Sequence, residues 1–143
     1  MTTTPTSILA TCSATAQGGR AGGKVALDNT GVYVHMEHAK GLGGSGEGSN
    51  PEQLFAMGYA SCFNSALLFV AGQQKIDAAK AKVTCEVGIG PSPTVGFALT
   101  AKLTVHVPGM DLAAAKQLVE TAHQVCPYSN ATRNNVPVEL VVV

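Results

Sequence analysis

The sequence contains few charged residues and no excess of either sign. Only 13% of the 143 residues are charged, against roughly 25% in an average soluble protein. Nine basic residues balance nine acidic ones, so the chain lacks the basic surface that nucleic-acid binding needs. Tryptophan is absent, whereas 45% of the residues are hydrophobic. So few charges predict that part of the surface is buried against another chain.

The sequence also lacks segments that target a chain to a membrane or through it. No run of about 18 apolar residues predicts a membrane span. Residues 1–19 have neither the basic start nor the apolar stretch of a signal peptide. We therefore expect a cytoplasmic protein, in which the four cysteines are reduced, catalytic or metal-binding rather than a disulfide framework. No linker or internal repeat divides the chain, so residues 1–143 are expected to form a single domain.

The hydrophobic patterns alternate between those of strands and those of helices, which predicts an α+β fold. Pro51 suits the first position of a helix, and Asp111 lies near the start of a second, amphipathic one. Because the residue before a proline disfavours helix, the second helix should end near Cys126. The expected strands are 7–16, 24–28, 31–36, 82–89, 96–107 and 136–143. One expected helix begins at Pro51, and its segment 54–70 is apolar almost all round, so it should be buried. The other expected helix is 109–125.

Two patterns that resemble cofactor or metal sites are incomplete. The G-x-G-x-x-G pattern at 41–46 does not open a helix, which a dinucleotide site requires, so a flexible loop is expected there. His35 and His38 would face opposite sides of a strand. His123 and Cys126 could supply two metal ligands at a helix end, but no second pair of residues completes a zinc site. We expect neither metal nor cofactor.

The cysteines divide into two pairs. Cys12 and Cys85 lie on expected strands, where a free cysteine is usually a small buried hydrophobic residue. Cys62 lies in an apolar helix, where burial makes a thiol inert unless a cation is placed beside it. Arg20, in the glycine turn GGRAGG, is a candidate for that cation. The negative charge of Glu52 either stabilises the N-terminus of its helix or holds the Arg20 guanidinium in a bidentate pair.

The stretches NPEQLFAMGYASCF (50–63) and VCPYSNATRNN (125–135) resemble the organic hydroperoxide resistance proteins of the Ohr/OsmC superfamily, and GGRAGG and VPVEL fit as well. The resemblance covers essentially the whole chain. It implies an intertwined α+β homodimer with antiparallel sheets around long buried helices. It also implies that Cys62 attacks the peroxide, that Cys126 resolves the product as a disulfide, that Arg20 activates Cys62 and that Glu52 orients Arg20.

The spacing of these residues bears on the expected dimer. Glu52 and Cys62 are ten residues apart, about 15 Å along one straight helix. If Arg20 must reach both, they come from different chains, or the helix begins after Glu52.

The resemblance implies a thiol peroxidase that reduces organic hydroperoxides through a sulfenic acid and is regenerated by a dithiol, such as a lipoyl group on a partner protein. Apolar side chains around Cys62 are candidates for the substrate pocket, with core packing as the alternative for each: Phe55, Met57, Leu67, Phe69 and Tyr128. Two other functions stay open from the residues alone. One is a non-catalytic carrier of apolar ligands, and the other is a thiol-dependent hydrolase using His123 as its base.

Overall fold

The computed structural model describes residues 2–143, which form two compact units that divide after Pro51. Strands, helix, strands, helices and a final strand follow one another, which confirms the α+β class. That residues 1–143 form a single domain stays a prediction. The elements are β1 (Ala14–Gln17), β2 (Lys24–Leu27), β3 (Tyr33–His35), α1 (Pro51–Gln73), β4 (Lys82–Ser92), β5 (Gly96–His106), α2 (Leu112–Val125), α3 (Pro127–Thr132) and β6 (Val138–Val142).

The first unit is an antiparallel sheet in the order β1-β2-β3. The predicted hairpin corresponds to β2 and β3, but the strand predicted at 7–16 is wrong in its extent. Since β2 has only four residues, it offers partners to Ala14–Gln17 alone. The hydroxyls of Ser13 and Thr15 donate to the Asp28 carboxylate at 2.6 and 2.9 Å. These bonds fix the start of β1 beside the end of β2.

The glycine-rich loop at 41–49 is mostly exposed, and the flexibility that the sequence suggests for it stays a prediction. It begins with a 3-10 turn at Lys40–Leu42. Its end is bound to the strand region, because Ser49 N–H donates to His35 O at 2.9 Å and Glu37 N–H donates to Ser49 O at 2.8 Å. A Cβ on Gly44 would collide with the backbone carbonyl of His38. Glycine is needed there for close approach of two backbone segments.

The sheet of the second unit has the order β4-β5-β6. Strands β4 and β5 pair antiparallel over their whole length, from Lys82 opposite His106 to Ser92 opposite Gly96. Strand β6 pairs parallel to β5, so the expectation of antiparallel sheets is wrong for this strand. The reason is its connection: α2 and α3 carry the chain across the sheet before it returns, which is the connection that parallel strands need.

Helix α1 begins at Pro51, as predicted, and continues to Gln73. One face packs into the core, where Tyr59, Phe63 and Leu67 are fully buried. Burial of each such side chain is worth roughly 1.5–3 kcal/mol. The other face exposes Met57 and Phe69, which are 70% and 62% exposed. The predicted burial on all sides is therefore wrong for the single chain.

Among the described residues, α1 is the one helix long and apolar enough to cross a membrane by length and composition. The same length and composition suit the core helix of a soluble protein. Its inner face packs in the core cluster with residues of β5 and α2, among them Leu103 and Leu118. Packing in the core thus accounts for the apolar residues on the inner face of α1.

Helices α2 and α3 meet at a sharp corner. Asp111 caps α2 by accepting from the backbone N–H groups of Ala113 and Ala114 at 2.9 and 3.4 Å, so the helix begins at Leu112 rather than at the predicted residue 109. Helix α2 ends at Val125, and Cys126 is extended (φ −64°, ψ 122°) between the two helices. Pro127 then opens α3. The proline therefore ends α2 where the sequence predicts.

Candidate active site

The two cysteines that the sequence singles out lie side by side. Cys62 is in the middle of α1, and Cys126 is the residue between α2 and α3. Their sulfurs are 3.7 Å apart. Cys126 is fully buried, whereas Cys62 is partly exposed. A disulfide needs about 2.05 Å between sulfurs, so a small movement would join them.

The surroundings of Cys62 act on its ionisation in opposite directions. Burial is the largest influence and raises the pKa of the thiol above its ordinary value of 9.0. A hydrogen bond from the backbone N–H of Tyr128 lowers that pKa, while the Cys126 thiol raises it. The net shift is upward. A reactive Cys62 thiolate at neutral pH therefore needs additional positive charge.

An aromatic cluster covers the helix turns before Cys62. Tyr59 lies 6.0 Å from Phe55 and 5.9 Å from Tyr128 between ring centroids. The Tyr128 ring rests against Gly58, where an added Cβ would lie 3.0 Å from the tyrosine oxygen. The same residue thus contacts α1 through its ring and Cys62 through its backbone. Gly58 provides the space for this arrangement.

A buried polar network lies behind the cysteines. The Ser129 hydroxyl is 2.9 Å from Tyr59 Oη and 2.8 Å from His123 Nδ1. Tyr59 Oη is also 3.2 Å from Thr132 Oγ1. Burial, followed by the Arg133 charge, lowers the pKa of His123 below its ordinary value, which favours the neutral ring. His123 Nδ1 thus bonds Ser129, whereas the hydrolase alternative needs a histidine paired with the reactive cysteine.

Sequence reasoning missed this network as a unit. Tyr59 and Ser129 are 70 residues apart in the sequence, and no local pattern joins them. A signal was nevertheless present. Three of its polar residues lie three positions from a cysteine: Tyr59 from Cys62, and His123 and Ser129 from Cys126. Residues three apart share a helix face.

Arg20 and Glu52 lie in well-defined local settings. Arg20 is carried by a tight turn, in which a Cβ on Gly23 would collide with the Gly19 carbonyl, and Gly22 N–H donates to Met36 O at 3.0 Å. Glu52 is buried, 8% exposed, in the first turn of α1. Arg20 belongs to the first unit and Glu52 to the second. Their pairing, and their action on Cys62, stay predictions.

Glu52 and Cys62 belong to one continuous helix, since α1 runs from Pro51 to Gln73. This excludes the alternative in which the helix begins after Glu52. The two residues of one chain are therefore separated by about 15 Å along the helix axis.

The five candidate pocket residues lie in three different environments. Phe55 and Tyr128 belong to the aromatic cluster near Cys62. Leu67 is fully buried in the core. Met57 and Phe69 are exposed on the other face of α1. Their roles in substrate binding stay predictions.

Among residues 2–143, no three His, Cys, Asp or Glu side chains are grouped so that they could hold a metal ion. His123, the histidine nearest in sequence to Cys126, directs Nδ1 at Ser129.

Comparison with known proteins places this arrangement in a family. Residues 44–141 match the family described as OsmC-like protein. The chain is 46% identical over 140 residues to the organic hydroperoxide resistance protein of Xanthomonas axonopodis pv. citri (strain 306), covering 96% of this chain and 97% of that one. It is 41% identical over 134 residues to the organic hydroperoxide resistance protein OhrB of Bacillus subtilis (strain 168), covering 92% and 96%.

The fold agrees with the sequence. The crystal structure of an organic hydroperoxide resistance protein from Elizabethkingia anophelis, with thiocyanate bound, superposes with a TM-score of 0.88 at 47% identity, covering 94% of this chain and 96% of that one. The chain therefore belongs to the Ohr/OsmC family, as the motifs at 50–63 and 125–135 predict.

Proposed function

We propose that this protein is a thiol peroxidase that reduces organic hydroperoxides to alcohols. The observation that carries the proposal is the sulfur pair, 3.7 Å apart, with a partly exposed Cys62 and a buried Cys126. The peroxide needs access only to Cys62, and Cys126 needs to reach only the sulfur of Cys62. The relatives named for organic hydroperoxide resistance supply the substrate class.

The proposed reaction has two steps on the protein. The Cys62 thiolate attacks the terminal peroxide oxygen, so that an S–O bond forms while the O–O bond breaks. The alkoxide takes up a proton and leaves as the alcohol. Cys126 then attacks the sulfenic sulfur, a disulfide forms, and the hydroxyl group leaves with the thiol proton as water. Two electrons pass from the thiol pair to the peroxide.

Arg20 is proposed to stabilise the Cys62 thiolate, and Glu52 to orient the Arg20 guanidinium. The need for a cation follows from burial, which raises the pKa of Cys62. Because Glu52 and Cys62 are about 15 Å apart on one helix, we assign them to different chains of a homodimer at each site. The exposed apolar face of α1, which includes Met57 and Phe69, supports a second copy. Light scattering should give twice the 14.6 kDa of one chain.

The substrate pocket is proposed to hold alkyl or fatty-acyl chains. Phe55 and Tyr128 are the best-placed of the five candidates, because both belong to the aromatic cluster before Cys62. Met57, Leu67 and Phe69 remain part of the hypothesis. An external dithiol, such as a lipoyl group on a partner protein, would reduce the disulfide. The reaction would take place in the cytoplasm and would need no cofactor bound to this chain.

Peroxide consumption with dihydrolipoamide as reductant tests the proposal. We expect an alkyl hydroperoxide to be reduced faster than hydrogen peroxide, since each buried CH₂ adds at best about 0.8 kcal/mol to binding. Cys12→Ser is a control, because Cys12 is exposed and has no proposed role. Equal efficiency with hydrogen peroxide would contradict the substrate class. Binding of an apolar ligand without peroxide consumption would favour the carrier, and ester hydrolysis would favour the hydrolase.

A further inference from the structure

The Ser129 hydroxyl lies at the junction of the three helices in the second unit. Ser129 and Tyr59 are fully buried, so their hydroxyls have exchanged water for partners inside the protein. Ser129 Oγ is 2.9 Å from Tyr59 Oη on α1 and 2.8 Å from His123 Nδ1 on α2. Ser129 itself belongs to α3. One hydroxyl therefore connects all three helices.

This junction lies one helical turn from both sulfurs. Tyr59 precedes Cys62 by three residues on α1, and His123 precedes Cys126 by three at the end of α2. Ser129 follows Cys126 by three on the other side of the corner. Tyr59 and Cys62 share a face of α1, and His123 and Ser129 flank Cys126 on the two sides of the corner. The backbones that carry the two sulfurs are therefore tied together through Ser129.

The hydrogen-bonding capacity of the groups fits this junction. A hydroxyl has one donor and two acceptor positions. When the neutral His123 ring carries its proton on Nε2, Ser129 O–H can donate to Nδ1 while Ser129 Oγ accepts from Tyr59 O–H, an arrangement that both contacts allow. The corner is closed by Arg133, whose Nη2 donates to His123 O at 2.8 Å. Loss of the Ser129 hydroxyl would leave Tyr59 and His123 without the partner that joins them.

We propose that Ser129 is a positioning residue of the thiol pair, holding Cys126 in line with Cys62 through Tyr59 and His123. This inference deepens the proposed peroxidase function. Ser129 acts on the second step, in which the Cys62 sulfenic S–O bond breaks, the Cys62–Cys126 bond forms and water leaves. It touches neither reacting sulfur. Its removal should therefore slow disulfide formation while leaving the first attack of Cys62 on the peroxide unchanged.

The first test measures the thiol pair without any peroxide. Equilibration of the full-length protein with reduced and oxidised dithiothreitol gives the effective concentration of Cys126 at Cys62. We expect Ser129→Ala to lower it roughly tenfold, the scale of losing one buried hydrogen bond. Ser65→Ala is the matched control, because the Ser65 hydroxyl donates to Ser61 O of its own helix at 2.9 Å. An unchanged effective concentration in Ser129→Ala would overturn the proposal.

Two His123 variants decide the question even if Ser129→Ala fails to fold. In His123→Asn the amide can occupy the place of Nδ1, whereas His123→Leu removes the partner of Ser129. The effective concentration should be close to that of the wild type in the first and several-fold lower in the second. Equal values in the two would overturn the proposal. A melting curve for each variant confirms that the comparison is made on folded protein.

The second test separates the two reaction steps. Stopped-flow mixing with one equivalent of an alkyl hydroperoxide follows formation of the sulfenic acid and then of the disulfide. Ser129→Ala should slow only the second, by roughly the same tenfold, and a proportional loss in both rates would indicate a merely structural role. If the wild type reduces no hydroperoxide, the proposed function fails, while the dithiothreitol equilibrium still tests the role of Ser129.

Discussion

Cys62 and Cys126 lie 3.7 Å apart, yet the chain holds their backbones in different ways. Cys62 sits inside a 23-residue helix with turns on both sides. Cys126 sits at a break, extended between two helices. The partly exposed thiol is thus on the most regular element, and the fully buried thiol is at the irregular one. A nucleophile gains from a fixed, accessible position, whereas a resolving thiol must only reach its neighbour.

The break at Cys126 does not leave the corner loose. In the structure, Ser129 and Arg133 bind the corner to α1 and α2. The sulfurs need to approach by only about 1.7 Å to reach bonding distance. Side-chain rotation with a small backbone adjustment is a sufficient movement.

The largest expected effect distinguishes the two thiols directly. Cys62→Ser should abolish peroxidase turnover, because the serine hydroxyl stays protonated and is a poor nucleophile. Cys126→Ser should still consume one peroxide per subunit, since Cys126 acts only after the sulfenic acid has formed. A dione reagent should trap that acid, which otherwise oxidises further.

Peptide mass spectrometry supplies the complementary measurement. Wild-type protein treated with one equivalent of peroxide should contain a Cys62–Cys126 disulfide, and the exposed Cys12 should stay free. Normal turnover in Cys126→Ser, together with the absence of that disulfide, would contradict the two-cysteine mechanism.

The next effect concerns the positive charge that Arg20 is proposed to place beside Cys62. Arg20→Ala should reduce activity by roughly tenfold or more, the scale on which an ionised partner shifts a thiol equilibrium. The profile of Cys62 alkylation rate against pH should move to higher pH, because the Tyr128 N–H would then be left to oppose the effect of burial without the proposed Arg20 charge. Lys80→Ala is the control cation, because Lys80 is exposed and lies outside the helices that carry the two cysteines. An unchanged alkylation profile in Arg20→Ala would remove Arg20 from the mechanism.

The sequence predicts the parts of this site that depend on local signals. The proline after Cys126 ends α2, Asp111 caps its start, and Pro51 opens α1. The two cysteines were singled out by their motifs, and the structure brings them together. At each of these helix ends a neighbour within a few residues sets the outcome, so a single sequence carries enough information. The pairing of the two cysteines, 64 residues apart, is implied by the family resemblance instead.

The missing parts depend on contacts between distant residues. The parallel pairing of β6 follows from how two helices cross the sheet, which no local pattern specifies. The exposed face of α1 could not be foreseen, because an all-apolar helix shows no periodicity that separates an inner from an outer side. The Ser129 junction likewise joins Tyr59 to a residue 70 positions away.

A smaller effect concerns the contact between α1 and the Tyr128 ring at Gly58. An alanine Cβ at position 58 would lie 3.0 Å from the Tyr128 oxygen, so the ring must shift and loosen the Tyr128 N–H bond to Cys62. Gly58→Ala should therefore move the Cys62 alkylation profile to higher pH. Gly72→Ala is the matched control, since its Cβ meets nothing within 4 Å. It should stabilise α1 by up to about 1 kcal/mol and leave the profile unchanged, and identical profiles in both variants would refute the contact.

The smallest effect concerns the pH dependence of the corner that holds Cys126. Burial and the Arg133 charge lower the pKa of His123 in the folded protein from an ordinary 6.5, while Glu120 acts in the opposite direction. Between the folded-state pKa and 6.5, the unfolded chain therefore binds more protons at His123 than the folded chain does. The contribution of His123 to the free energy of unfolding is complete above pH 6.5. It is lost as the pH falls through the folded-state pKa. Urea unfolding at about pH 7.5 and about pH 5.5 measures this loss. His123→Asn cannot titrate yet can still bond Ser129, so it should lose less stability than the wild type between the two conditions. Equal losses would mean that His123 keeps its ordinary ionisation in the fold, and that the Ser129 junction is insensitive to pH.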